Sequence, residues 1–196
     1  MKKYILTFIT ITIIIGCQPI LRNISGIKKP QEESFTTLEK YIEEQNIPIE
    51  LEKSYYLSSN DDYKKLSKFR DSLFRLPDIY LFNKSGKFLE ENQFCLSIKN
   101  QVKNNEQKNY FDEIFLVDSI ISINKDIKML NSFIIGSDGK NANIGDNNNI
   151  AIILWAKFLG NKKNLKHIND SKKQLMKTND SILIYYLNID TFESWE

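Results

Sequence analysis

Two cysteines, one histidine and a scatter of serines and acids bound the chemistry open to this 196-residue chain. Cys95 lies between Phe94 and Leu96, with Lys99 and Lys103 one and two helical turns further on. A thiol does exchange or peroxidase chemistry only as a thiolate, which needs a nearby cation or helix amino terminus. As a small apolar residue it needs neither, and its setting favours that simpler role. His167 falls on the lysine-rich side of a helix-like segment, and no Cys, His or Asp around it has metal-ligand spacing. Asp138, Asn141, Asn143, Asp146 and Asn147–Asn149 miss the spacing and terminal glutamate of a calcium loop, and read as a polar hairpin loop. Ser58, Ser59 and Ser119 have no base placed to activate them. No metal, no cofactor and no enzymatic activity are expected.

Lys2 and Lys3 precede an uncharged apolar stretch from Tyr4 to Ile15. Twelve residues are too few to cross a hydrocarbon core of about 30 Å as a helix. Ile14-Ile15-Gly16-Cys17 then resembles a lipobox, the apolar–variable–small–cysteine pattern of bacterial lipoprotein signals. The resemblance implies cleavage after residue 16, with Cys17 becoming the first mature residue and carrying the lipid. Each buried methylene contributes about 0.8 kcal/mol, so two or three acyl chains hold a protein stably on a membrane. Residues 17–32, including Gly26, Lys28, Lys29 and Pro30, show no periodicity and read as a tether.

Removing residues 1–16 takes away two lysines and no acid, leaving 25 basic against 25 acidic residues. A near-neutral chain with no sustained basic run argues against nucleic-acid binding. Once Cys17 is acylated, Cys95 is the one remaining thiol, so no intramolecular disulfide forms even in an oxidising compartment. Gln18-Pro19-Ile20-Leu21-Arg22 carries neither an acidic export run nor an aspartate after the cysteine. By resemblance to lipoproteins, this implies a cell-envelope location on the outer membrane, facing the periplasm.

Ile150-Ala151-Ile152-Ile153-Leu154 reads as a buried strand running into Trp155-Ala156-Lys157-Phe158-Leu159-Gly160-Asn161-Lys162-Lys163. This resembles the redox elbow of thioredoxin-like proteins, where Trp-Ala-x-Trp/Phe precedes Cys-Gly-Pro-Cys-Lys/Arg. Trp155, Ala156, Phe158, Gly160 and Lys163 match. Leu159 and Lys162 stand at the two cysteine positions, and Asn161 replaces the proline. Neither leucine nor lysine can act as thiolate nucleophile or resolving thiol. Leu165, Ile168, Leu175 and Met176 recur at helical spacing downstream, and Ser181–Asp190 reads as a second buried strand. Asp190, Phe192 and Trp195 suit the end of that strand in the family. Phe133–Lys140, with Asp138-Gly139, looks like the hairpin ahead of the core strand.

The N-terminal half predicts a helix capped by Ser34 with Leu38, Tyr41 and Ile42 on one face. Extended segments follow at Ile49–Leu51 and Tyr55–Leu57, then a helix from about Asn60 to Phe74. Leu76–Leu89, opening with Pro77, resembles the proline strand and last hairpin of a redoxin, and Phe94–Asn104 its closing helix. A sheet ending one strand beyond the motif helix would expose an unpaired apolar edge. The expected architecture is therefore α/β: a thioredoxin-like three-layer sandwich in permuted order, with a central mixed sheet and flanking helices. Residues 33–108 would supply the last strands and helix, 109–132 a connecting helix drawn from the apolar run Ile114–Ile135, and 133–196 the core. Separate partial repeats, or an unrelated α+β subdomain in the first half, also fit the pattern.

The expected function is that of a membrane-anchored lipoprotein whose redox-inactive domain binds a partner in the envelope through the turn at Phe158–Lys162. The alternative is a thiol–disulfide oxidoreductase or monothiol peroxidase working through Cys95.

Overall fold

A computed structural model describes residues 32–69, 78–89, 121–145, 147–160, 162–177 and 181–191. Helix α1 (Phe35–Glu44) begins at a reciprocal cap: Ser34 Oγ accepts from the Thr37 amide, and Thr37 Oγ1 accepts from the Ser34 amide. Leu38, Tyr41 and Ile42 recur at helical spacing and are its buried residues, as expected. A 3₁₀ turn at Leu51–Lys53, which overlaps the segment Ile49–Leu51 expected to be extended only at Leu51, leads into β1 (Ser54–Leu57). Helix α2 (Asn60–Phe69) buries Leu66 and Phe69. Its expected continuation to Phe74 lies outside the described residues.

Strands β2 (Asp78–Phe82) and β3 (Lys87–Leu89) form a hairpin through Asn83 and Gly86. Strand β4 (Ile121–Asp126) follows, then the short helix α3 (Ile127–Asn131), whose Met129 amide is capped by Asp126. This corrects the connecting helix over 109–132: residues 121–126 are a strand on β3, and 109–120 lie outside the described residues. Ile121-Ser122-Ile123-Asn124 alternates with period two, which suits a strand better than a helix.

Strand β5 (Ile134–Gly136) runs into a turn at Asp138-Gly139, with Gly139 at φ 75°. The turn is the expected one, and Ile135 bridges Asn141 across it, while the other edge of β5 pairs with β1. Strand β6 (Asn149–Trp155), a 3₁₀ turn (Lys157–Leu159), helix α4 (Lys162–Leu175) and β7 (Ile182–Asn188) complete the order.

The seven strands form one mixed sheet in the order β4-β3-β2-β6-β7-β1-β5. β6 is parallel to β7 and antiparallel to β2, with Ile79 opposite Ile153 and Tyr80 opposite Ile152. Ile79–Phe82 thus lies directly against Ile150–Ile153, and β7 is covered on its far side by β1. Neither neighbour of the central strand leaves it an open edge.

Every residue of β6 is buried, which is why it reads as a continuous apolar run rather than an alternation. Its side chains divide by parity between two cores. Ala151, Ile153 and Trp155 face one cluster with Leu38 and Tyr41 of α1 and Ile168 and Leu175 of α4. Ile150, Ile152 and Leu154 face the other, with Leu66 and Phe69 of α2 and Ile127 and Leu130 of α3. Burying a side chain of this size contributes about 1.5–3 kcal/mol. The result is a mixed α/β fold with helices on both faces of the sheet.

Candidate functional site

The chain leaves the carboxyl end of β6 at Trp155, passes through extended Ala156, tightens into the 3₁₀ turn and re-enters a helix at Lys162. This elbow sits at the fourth of seven strands, near the middle of the sheet. The turn has no capping side chain of its own, so its free amides must be satisfied from elsewhere. Asp190, just past β7, does this. Its Oδ2 accepts from the Lys157 amide at 2.6 Å and from Asn188 Nδ2 at 2.8 Å, and its Oδ1 accepts from the Phe158 amide at 3.2 Å. The Asp190 amide in turn donates to Asn188 Oδ1 at 2.9 Å.

Asp190 is 2% exposed. Burial pushes its carboxyl above the usual aspartate range, and nearby Glu33 adds to the rise, while the donors from Lys157, Asn188 and Phe158 oppose it. A carboxyl held high beside a half-buried turn has the profile of a proton donor or acceptor. Three donors already engage it, however, so its geometric role is to fix the elbow.

Two further contacts clamp the elbow to the start of the domain. Lys157 Nζ lies 2.6 Å from Glu33 Oε2, and the glutamate is buried. Thr37 Oγ1 donates to the same oxygen at 2.8 Å, and the Glu33 amide donates to the Thr191 carbonyl at 2.8 Å. Tyr41 donates its hydroxyl hydrogen to the Gly160 carbonyl at 3.3 Å, with the Lys157 ammonium 5.8 Å from its ring centre. Burial, then the charge of Asp190, raises the Tyr41 hydroxyl pKa above its ordinary value. A Cβ on Gly160 would lie 1.8 Å from the Tyr41 hydroxyl oxygen. Glycine stands here because a second element passes too close for any side chain.

The expected elbow residues fall together in part. Leu159 ends the 3₁₀ turn and exposed Lys162 begins α4, with Gly160 between them; Asn161 lies outside the described residues. Trp155 is 1% exposed and belongs to the core, and its indole N–H has no hydrogen-bond partner among the described residues. Cys17 and Cys95 both lie outside the described residues. His167 is half-buried rather than fully solvent-facing. Met176, expected on the apolar stripe of α4, is 69% exposed, and it lies one residue past the end of the helix at Leu175.

Glu33, Tyr41 and Asn188 were not legible as site residues. Tyr41 carries only the signal of a core position on α1, and an acid ahead of a helix cap is ordinary.

A surface cleft of about 330 Å³ opens between the start of β1 and the Asp138 turn, lined by Ser54, Tyr55, Ser137, Asp138 and Asn141 among others. Asp138 is committed to Lys140, whose amide and ammonium hold its carboxyl below the usual aspartate range. Among the described residues no group of three or more His, Cys, Asp and Glu side chains converges as a metal site, and no helix is long and apolar enough to cross a membrane. Comparison with family models, curated proteins and solved structures finds no match to this chain.

Proposed function

We propose that this chain is a lipid-anchored envelope protein whose domain is a permuted, redox-silent relative of the thioredoxin scaffold, acting as a binding module rather than an enzyme. The observation that carries the reading is the elbow, which runs from a central strand into a helix with Leu159 and Lys162 where the disulfide chemistry would need thiols. Strand neighbours support it. β6 has the post-helix strand parallel on one side and the strand after Pro77 antiparallel on the other, followed by that strand's hairpin partner. These relations support a thioredoxin-like sheet with the order of its two halves exchanged.

A turn whose amides are held by Asp190 and whose glycine is locked under Tyr41 loses little conformational freedom on binding, and so suits a contact surface. Lipid on Cys17 would keep that surface at a membrane, outer and periplasm-facing on the lipobox reading. Two measurements test the proposal. Reduction of insulin by dithiothreitol should proceed at the uncatalysed rate in the presence of the protein; a rate enhancement abolished by Cys95→Ala would replace the binding role with an enzymatic one. Labelled palmitate should mark the protein, and a Cys17→Ala form that still takes up label would remove the anchor.

A further inference from the structure

The chain is nearly neutral overall, yet α4 sorts its charge. At 3.6 residues per turn, Lys162, Lys166 and Lys173 lie within about 40° of one another. All three are exposed, as is Lys177 in the turn just past the helix. None of the four makes an ion pair among the described residues, in contrast to Lys172, which turns back to Glu50 at 2.9 Å. Beside them stands Met176, the most exposed large apolar side chain of the described residues at 69%. The opposite side of α4 buries Ile168 and Leu175. The charged and titratable neighbours are half-buried Asp170 and His167 on α4 itself, and on α1, which packs into the same core, exposed Glu43 and Glu44, the latter paired with Lys40. One helix of this layer is thus basic outward and the other acidic outward.

The position of the tether gives that asymmetry a direction. Glu33, near the start of the described residues, is bonded to Thr191 and Lys157 beside the elbow, at the amino end of α4. Residues 17–32 span at most about 55 Å when extended, and they carry Arg22, Lys28 and Lys29 against Glu32.

We propose that the lysine face of α4, Lys162, Lys166, Lys173 and Lys177 with Met176 at its edge, lies against an anionic phospholipid surface and sets the orientation of the domain on the membrane. The inference rests on the lipid-anchor reading. An acyl anchor supplies the local concentration, and each lysine near an anionic surface then adds roughly a fivefold preference for the docked state.

The test uses the protein as recovered from cell membranes. It is reconstituted into vesicles of phosphatidylcholine alone or with phosphatidylglycerol, and its lysines are mapped by amine acylation and mass spectrometry. The four α4 lysines should be protected several-fold on the anionic vesicles only. Protection should vanish near 1 M salt, where the screening length is about 3 Å. Exposed Lys40 and Lys64 on other helices are the internal controls and should not change. Replacing Lys162, Lys166 and Lys173 by Gln, which keeps helix propensity, should remove the protection of Lys177. The mass of the amino-terminal peptide reports the anchor separately. If Cys17 proves unacylated, co-sedimentation with the anionic vesicles still measures the lysine face. Equal labelling on both vesicles, or protection already present in detergent with a co-purified protein, would overturn the proposal.

Discussion

Asp190 and Lys157 are 33 residues apart in sequence, yet the aspartate carboxylate accepts the lysine amide at 2.6 Å and thereby supplies the missing cap of the turn after β6. The bond ties the exit of one central strand to the end of its parallel neighbour. Loss of either partner therefore loosens the elbow without touching the core beneath it.

The pH dependence of that cap has an unusual sign. Asp190 is pushed above the usual aspartate range by burial. Between the unfolded and folded values the native protein holds a proton that the unfolded chain has released, so this group's contribution falls as pH rises through that window. Asp190→Asn should destabilise the protein by about 1–3 kcal/mol through its mismatched acceptors, and the cost should be larger at pH 4 than at pH 7. Urea unfolding of both proteins across that range measures it. A cost that grows toward neutral pH would show that the carboxyl is not raised. Asp126, held low first by the Met129 amide, works in the opposite direction, favouring the fold above the usual aspartate range and losing that effect on acidification.

Gly160→Ala should cost about 1–3 kcal/mol, the range for overpacking a tight site. The methyl meets the Tyr41 hydroxyl oxygen at 1.8 Å and the Lys157 carbonyl at 2.8 Å. Its φ of −70° is ordinary, so contact and not torsion sets the cost. Adding Tyr41→Phe should recover part of the loss. Thermal denaturation of the two variants decides it, and an unchanged midpoint for Gly160→Ala would mean that α1 does not press on the elbow.

Glu33 and Lys157 form an ion pair with side-chain exposures of 7% and 25%, so removing one partner strands the other in a poorly solvated place. A double-mutant cycle of Glu33→Gln and Lys157→Met should return a coupling of about 1–3 kcal/mol. The double variant should lose less stability than the two single losses added together. Additive losses would demote the contact to a surface pair.

Leu159→Cys combined with Lys162→Cys, in a Cys95→Ser background, should form an intramolecular disulfide on mild oxidation. Its more amino-terminal thiol should ionise below the ordinary range near 8.5, because position 159 lies just ahead of the amino end of α4. Thiol titration and mass spectrometry measure both. Failure to close the bond would argue that the elbow lacks the geometry of a redox turn.

Much of the second half was legible because its elements are long and strongly patterned. β6 is an unbroken apolar run, α4 repeats with helical period, and β7 is dense in β-branched and aromatic residues. The first half yielded α1 through Ser34 and its Leu38–Tyr41–Ile42 face. β4 was misread because its alternation Ile121, Ile123 sits inside a longer apolar stretch whose length suggests a helix. The partner of β5 could not be read at all, since strand pairing is decided by which edge remains open after the centre has formed. At the elbow, Gly160 and Asp190 carried sequence signals, whereas the clamp by Glu33 and Tyr41 depends on where α1 lands.

The placement of β7 has a consequence for how the molecule is made. The last strand among the described residues is not an edge strand but lies between β6 and β1, hydrogen-bonded to both. Until it emerges, the strands at its two sides belong to separate pieces that cannot meet. Closing loops of this length is slow for any polypeptide, so assembly of the sheet waits for β7, and a chain clipped before Ile182 lacks the strand that joins its two parts.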